Sequence, residues 1–182
     1  MIYPEKEIKT KDGRTVILRS ARVEDAQIML DYLNGTAVET PYLVNEPEEI
    51  SMTLEQEERF IAANEENSRA LLMAGFLDGE HVGNCSFYMI SSKKRFLHRC
   101  SLGIALYQKY CGLGIGRQMM ETVLEQARAC GYEQVELEVV ADNKNAIRLY
   151  ESLGFEICGR TVNGMKYKDG SYADMYMMIK WF

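Results

Sequence analysis

Three glycines, at 112, 114 and 116, break up the stretch Gln108–Arg117 (QKYCGLGIGR) just ahead of a strongly amphipathic segment. In that segment Ile115, Met119, Val123, Ala127 and Cys130 recur at helical spacing, and Gly131 stands where a C-cap belongs. Upstream, Cys100, Leu102, Ile104 and Leu106 alternate, which predicts a strand over Arg99–Leu106. Strand, glycine-rich turn and helix together make a physical anion site. The first helical N–H groups have no acceptor of their own. The helix dipole adds partial positive charge at the same end. Glycine lets the backbone approach an oxyanion with no Cβ in the way. The amides of Gly112, Leu113, Gly114, Ile115, Gly116 and Arg117 are therefore expected to face an anion, with the side chains of Leu113 and Ile115 turned into the core and Arg117 adding one charge. Two other glycine fingerprints do not fit. G-x-G-x-x-G needs glycine at 117, where Arg stands, and G-x-x-x-x-G-K-[ST] occurs nowhere.

A second segment, Val139–Phe155 (VVADNKNAIRLYESLGF), carries Asn143 and Tyr150 on a short helical pattern closed by Gly154. The two segments, in this order and with a helix between them, resemble the two signature motifs of the GNAT N-acetyltransferase family. The first is similar to its R/Q-x-x-G-x-G/A loop and the second to its N-x-x-A-x-x-L-Y-x-x-x-G-F helix. The resemblance implies that the amides of Gly112–Arg117 bind the pyrophosphate of acetyl-coenzyme A. It implies that Ile104, Ala105 and Leu106 pair their main chain with the pantetheine amides, and that Asn143 hydrogen-bonds the same arm. It gives Tyr150 the role of general acid toward the leaving thiolate. The acceptor implied is a primary amine of a small molecule or a protein. One departure stands out: Cys111 occupies a position usually held by Arg or Gln, so that side chain's contribution is missing while the backbone cradle remains.

Acetyl transfer to nitrogen sets three demands. The amine must lose a proton, since an alkylamine has a pKa of about 10.4. Charge developing on the carbonyl oxygen needs donors, for which the N–H groups around Ile104–Leu106 are suited. The departing sulfur needs an acid, and Tyr150 fits. Glu136 and Glu138 on the polar face of the next strand, His98 before the cofactor strand and Asp174 near the end are the carboxylates and imidazole in range of a base role. Each also reads as an ordinary solvated or cross-strand charge, and a water chain could do the same work. Cys111 has no histidine near it in sequence, so it reads as a structural thiol.

The elements that must position these groups follow from pattern. Thr15–Arg19 is β-rich, after an Asp12-Gly13 turn. Val23–Leu33 and Thr53–Asn64 have helical spacing, the second opening on a Thr53/Gln56 capping box. Thr36–Glu49 reads as a connecting loop. Ala70–Leu77 and His81–Ile90 read as strands joined at Asp78-Gly79. Val135, Leu137 and Val139 predict a further strand, and Phe155–Val162 and Tyr172–Ile179 the last two. The expected fold is α/β of the α+β type: one domain with a mixed, largely antiparallel sheet of six to seven strands flanked by helices, which is the fold the resemblance implies. Acceptor-side helices would lie at about 23–64 and the acetyl-CoA core at about 99–155.

Bulk properties agree. The 182 residues fit one domain, and 47% apolar with 26% charged residues is globular composition. A net charge of −6 argues against nucleic acid as a partner and tolerates a cationic substrate. Five cysteines without C-x-x-C or zinc spacing read as free thiols with no metal site. No signal peptide or membrane span is readable, so the expected location is the cytoplasm. A homodimer paired through the terminal strands is compatible with the family pattern. Two other readings stay open: a non-catalytic acyl-CoA-binding regulatory domain, and a nucleotide-dependent oxidoreductase, which the missing third glycine opposes.

Overall fold

The computed structural model describes Met1–Phe182. Its strands are β1 (Lys6–Lys9), β2 (Thr15–Ser20), β3 (Leu71–Leu77), β4 (Glu80–Met89), β5 (Arg99–Leu106), β6 (Gln134–Val140), β7 (Glu156–Lys166) and β8 (Tyr172–Trp181). They form one sheet in the order β1-β2-β3-β4-β5-β6-β8-β7. All neighbours are antiparallel except β5 and β6. The helices are α1 (Ala26–Glu39), α2 (Leu54–Glu66), α3 (Ile115–Ala129) and α4 (Lys144–Ser152). Alternate residues of β3 separate the layers. Ala74 packs with Met29 of α1 and Ile61 of α2 on one face, while Leu71 and Met73 join Met119, Val123 and Ile147 of α3 and α4 on the other.

The sheet has eight strands, not six or seven. The extra one is β1, where Lys-Glu-Ile-Lys offers a single apolar residue and no alternation to read. α1 also runs further than its periodicity suggests, through Gly35 to Glu39, so the connecting loop begins at Thr40 rather than Thr36. Glycine fits at 35 because the Tyr107 ring lies against the helix there: an added Cβ would sit 2.8 Å from Tyr107 Cε1. The start of α2 follows its sequence signature, with Thr53 and Gln56 bonding each other's backbone at 2.8 and 3.3 Å.

One feature of the sheet bears on function. β5 pairs with β6 only over Arg99–Ser101. Beyond that point β5 keeps its partner β4 as far as Leu106, and β6 keeps β8 as far as Val140. Gly103–Leu106 and Leu137–Val140 therefore flank an opening wedge in which neither strand serves the other. The root of the wedge is pinned by Arg99, which grips both carboxylate oxygens of Glu136, one at 2.8 Å, with Gln134 Nε2 also donating to Glu136 at 2.8 Å. Beside the free end of β5, strand β4 carries a bulge at Val82, where the register with β3 shifts. Gly83 follows it at φ +149°, and an added Cβ would lie 2.4 Å from the Ala105 carbonyl oxygen.

Candidate active site

The N-terminus of α3 opens on Gly114 at φ +84°, with no side chain capping it. Such a conformation suits glycine. The N–H groups of Ile115, Gly116 and Arg117 belong to the first helical turn and have no acceptor within the helix. Ile115 is fully buried and Leu113 packs partly against the core, so the side chains of the turn do point inward. A Cβ on Gly116 would touch Leu106 Cδ1 at 3.4 Å, Ile104 Cδ1 at 3.6 Å and Leu149 Cδ2 at 3.9 Å. The helix start, the end of β5 and α4 thus converge on one spot.

Alternation fixes which β5 groups face the wedge. Tyr107 N–H donates to the Val82 carbonyl on β4 at 3.1 Å. The main-chain groups of Ala105 therefore also face β4, and those of Ile104 and Leu106 face away, into the wedge. Of the three strand residues expected to offer their main chain, Ile104 and Leu106 turn theirs to the wedge and Ala105 turns its own to β4. Its carbonyl instead accepts from the hydroxyl of Tyr32, on α1, at 3.0 Å. α1 holds the same connection further along, where the Glu39 carboxylate accepts from Gln108 N–H at 2.6 Å.

Tyr150 lies on the buried face of α4, its ring 6.0 Å from that of Phe155. Burial pushes its phenol up to about 12, and the nearby Cys85 thiol adds to the rise. Cys85 is the register partner of Ile104, on the strand beside the free end of β5. Asn143 is the N-cap of α4: its Oδ1 accepts from Ala146 N–H at 3.2 Å, and its Nδ2 hydrogens are the donors it can offer a ligand. That cap was readable as Asn before a helical run, a second use of the residue beside its place in the motif. Arg117 does not reach over the helix start. Its guanidinium bonds Ser152 Oγ at 2.6 Å and lies 3.7 Å from Glu121. Burial pushes the Cys111 thiol up, with Glu39 adding to it, opposite to what an activated nucleophile requires.

Two of the candidate bases are already engaged. Glu136 is the buried partner of Arg99, and Asp174 holds Arg160 and accepts from Asn163 N–H at 2.8 Å. Glu138 is exposed on β6 beyond the pairing with β5. The carbonyl of His98 accepts from both Glu133 and Gln134 N–H.

Behind Tyr32, His81 is buried, with ring centroids 5.0 Å from Tyr32 and 5.5 Å from Phe76. Its Nε2 lies 2.8 Å from Asn84 Oδ1, and its Nδ1 has no partner. Burial lowers its pKa, against the opposing pull of Asn84. A lowered folded value means that the unfolded chain binds more protons below about pH 6.5, so this contribution is intact above that pH and lost as pH falls. Thermal melts from pH 8 to 5 are expected to drop accordingly. His81→Gln should flatten the decline by up to ~1.4 kcal/mol per pH unit.

The profile of the acetyltransferase (GNAT) family matches residues 33–155, which takes in the helix start, the wedge and Tyr150. The chain belongs to the GNAT acetyltransferase family. Among curated relatives of this GNAT protein is the L-amino acid N-acetyltransferase AaaT of Escherichia coli, 30% identical over 57% of this chain. The match spans 64% of that relative, just under two thirds of its length. A GNAT acetyltransferase structure from Streptococcus pneumoniae aligns with a TM-score of 0.88 at 27% identity, covering 92% of this chain and 99% of its own. An acetyltransferase structure from Salmonella typhimurium, determined with acetyl-CoA, aligns at 0.80 and 20% identity over 91% and 93%, a likeness of fold.

Proposed function

We propose that this GNAT protein transfers the acetyl group of acetyl-CoA to a primary amine, and that residues 1–182 act as one catalytic unit. The observation that carries this is the meeting, in a single wedge, of an uncapped helix N-terminus, a strand edge with free main-chain groups and a buried phenol. These are the groups a diphosphate, a diamide arm and a departing sulfur would need. When bound, the coenzyme supplies an activated thioester. The amides of Gly112–Arg117 hold its diphosphate, and the main-chain groups of Ile104 and Leu106 hold the arm as an added strand would be held. Asn143 Nδ2 donates to the same arm.

Tyr150 donates a hydrogen bond to the sulfur as charge develops there. A phenol near 12 is a weaker acid than a thiol of about 8.5. Complete transfer of its proton alone would run uphill on the order of 5 kcal/mol. The proton released from the attacking nitrogen therefore has to reach the phenol as the phenol gives its own to sulfur. In balance, a C–N bond forms, the C–S bond breaks, and one proton passes from nitrogen to sulfur.

The acceptor class proposed is a small molecule bearing a primary amine, as the names of the relatives suggest, with a protein amine as the alternative. The bound amine would lie on the α1–α2 side, shaped by residues 23–64. Five free cysteines and a surface without a basic excess support a reducing, cytoplasmic setting with no nucleic acid partner. No helix is long and apolar enough to cross a membrane. The edge strand β7 is long and exposed, with Ile157 and Val162 at the surface, which supports pairing of two copies there. The test of activity is thiol release from acetyl-CoA across a panel of amines. Amine-dependent turnover is expected. Tight coenzyme binding with no turnover on any amine would favour a regulatory acyl-CoA-binding role instead.

A further inference from the structure

We propose that Lys11, in the turn between β1 and β2, is the cation that pairs with the diphosphate at the start of α3. The inference rests on the diphosphate reading above and adds a residue that neither motif contains. The turn is fastened to the glycine loop by main chain: Lys11 N–H donates to the Leu113 carbonyl at 2.9 Å. Gln118, one turn into α3, ties the same segment by donating from Nε2 to the Lys9 carbonyl at 2.8 Å. The Lys11 side chain then runs along Gly114. Its Cγ and Cε lie 3.5 and 3.7 Å from the point where a Cβ on Gly114 would sit. Its ammonium is one bond further on, beside the residue whose successors present the free N–H groups.

The neighbouring cations are otherwise occupied. Arg14 is paired with Asp12 at 2.7 Å, Lys109 with Glu80 at 3.0 Å, and Arg117 with Ser152 and Glu121. Lys11 forms no ion pair with any carboxylate of the chain. Because Arg117 is turned toward α4, the full positive charge at this helix start comes from the other end of the sequence. An ammonium on a flexible stem suits a phosphate oxygen as a point charge.

The test is calorimetric binding of coenzyme A, with no turnover involved, to wild type, Lys11→Ala, Lys11→Arg and Gly112→Asp at two salt concentrations. Lys11 is exposed, and equal melting temperatures would establish that its variants fold as wild type does. Lys11→Ala is expected to bind about tenfold more weakly with a shallower salt dependence, and Lys11→Arg to bind within about twofold of wild type. The same loss should appear with 3′-dephospho-coenzyme A, which keeps the diphosphate. A loss that vanishes with that analogue would overturn the assignment to the diphosphate. Wild-type affinity in Lys11→Ala beside weakened binding in Gly112→Asp would overturn the role of Lys11 alone. Wild-type affinity in both would overturn the diphosphate reading itself.

Discussion

Replacing Gly112 by Asp is expected to weaken coenzyme A binding on the order of a hundredfold relative to the isosteric Gly112→Asn. The pair isolates charge from shape. Gly112 has φ +81°, a conformation that Asn and Asp tolerate better than other side chains, and an added Cβ meets nothing within 4 Å. Both variants therefore carry a similar backbone cost, of about 1–2 kcal/mol. Only Asp brings a negative charge to the mouth of the proposed anion site. Two like charges about 4 Å apart near a protein surface repel by roughly 4 kcal/mol, and counterions and side-chain movement reduce that. Titration calorimetry with matched melting temperatures makes the comparison. Position 112 is cleaner than 114, where a new carboxylate would lie against the Lys11 stem and be partly neutralised.

Tyr150→Phe is expected to lower kcat about a hundredfold or more while the KM for acetyl-CoA stays within about twofold. The ring packs against Phe155 in the core, and phenylalanine keeps that packing. What is lost is the one hydroxyl proposed to give its proton to the departing sulfur and to take up the proton released from nitrogen. The phenol stays protonated across the working range, since burial holds it near 12. Tyr150 should therefore add no basic limb to the pH profile. The rise of kcat/KM with pH should instead follow deprotonation of the acceptor amine, and should keep its midpoint in the phenylalanine variant. A variant with unchanged kcat would remove Tyr150 from the chemistry and leave it as a core residue.

The parts of the fold that depend on local chemistry were legible. Asp78-Gly79 has both residues at positive φ, as a two-residue hairpin requires, and Gly131 and Gly154 close α3 and α4 at φ +81° and +86°. The amphipathic stripe of α3 is as its sequence shows. The features not legible locally are set by distant partners. Gly35 weakens a helical pattern unless Tyr107 is known to press on it. Glu136 looks like an exposed strand carboxylate until Arg99 is brought across from β5 to cover it. β1 is a strand because β2 offers an edge, and its four residues give no sign of it. The same holds for the candidate site. The glycine loop and Tyr150 lie within two contiguous motifs. Lys11 and Tyr32 reach the site from elements remote in sequence, and nothing in their spacing marks them. Nor can a motif reveal that Ala105 faces β4 while Ile104 and Leu106 face the wedge, because that depends on the register with β4.

The free amides at the start of α3 are proposed to hold a diphosphate and so to aim a thioester past Tyr150. A crystal structure of the protein with coenzyme A tests this most directly. Diphosphate oxygens are expected within hydrogen-bonding distance of N–H groups in Gly112–Arg117, with the arm alongside Ile104 and Leu106 and the sulfur beside the Tyr150 hydroxyl. A coenzyme bound away from the wedge, or a diphosphate that leaves those amides untouched, would contradict it.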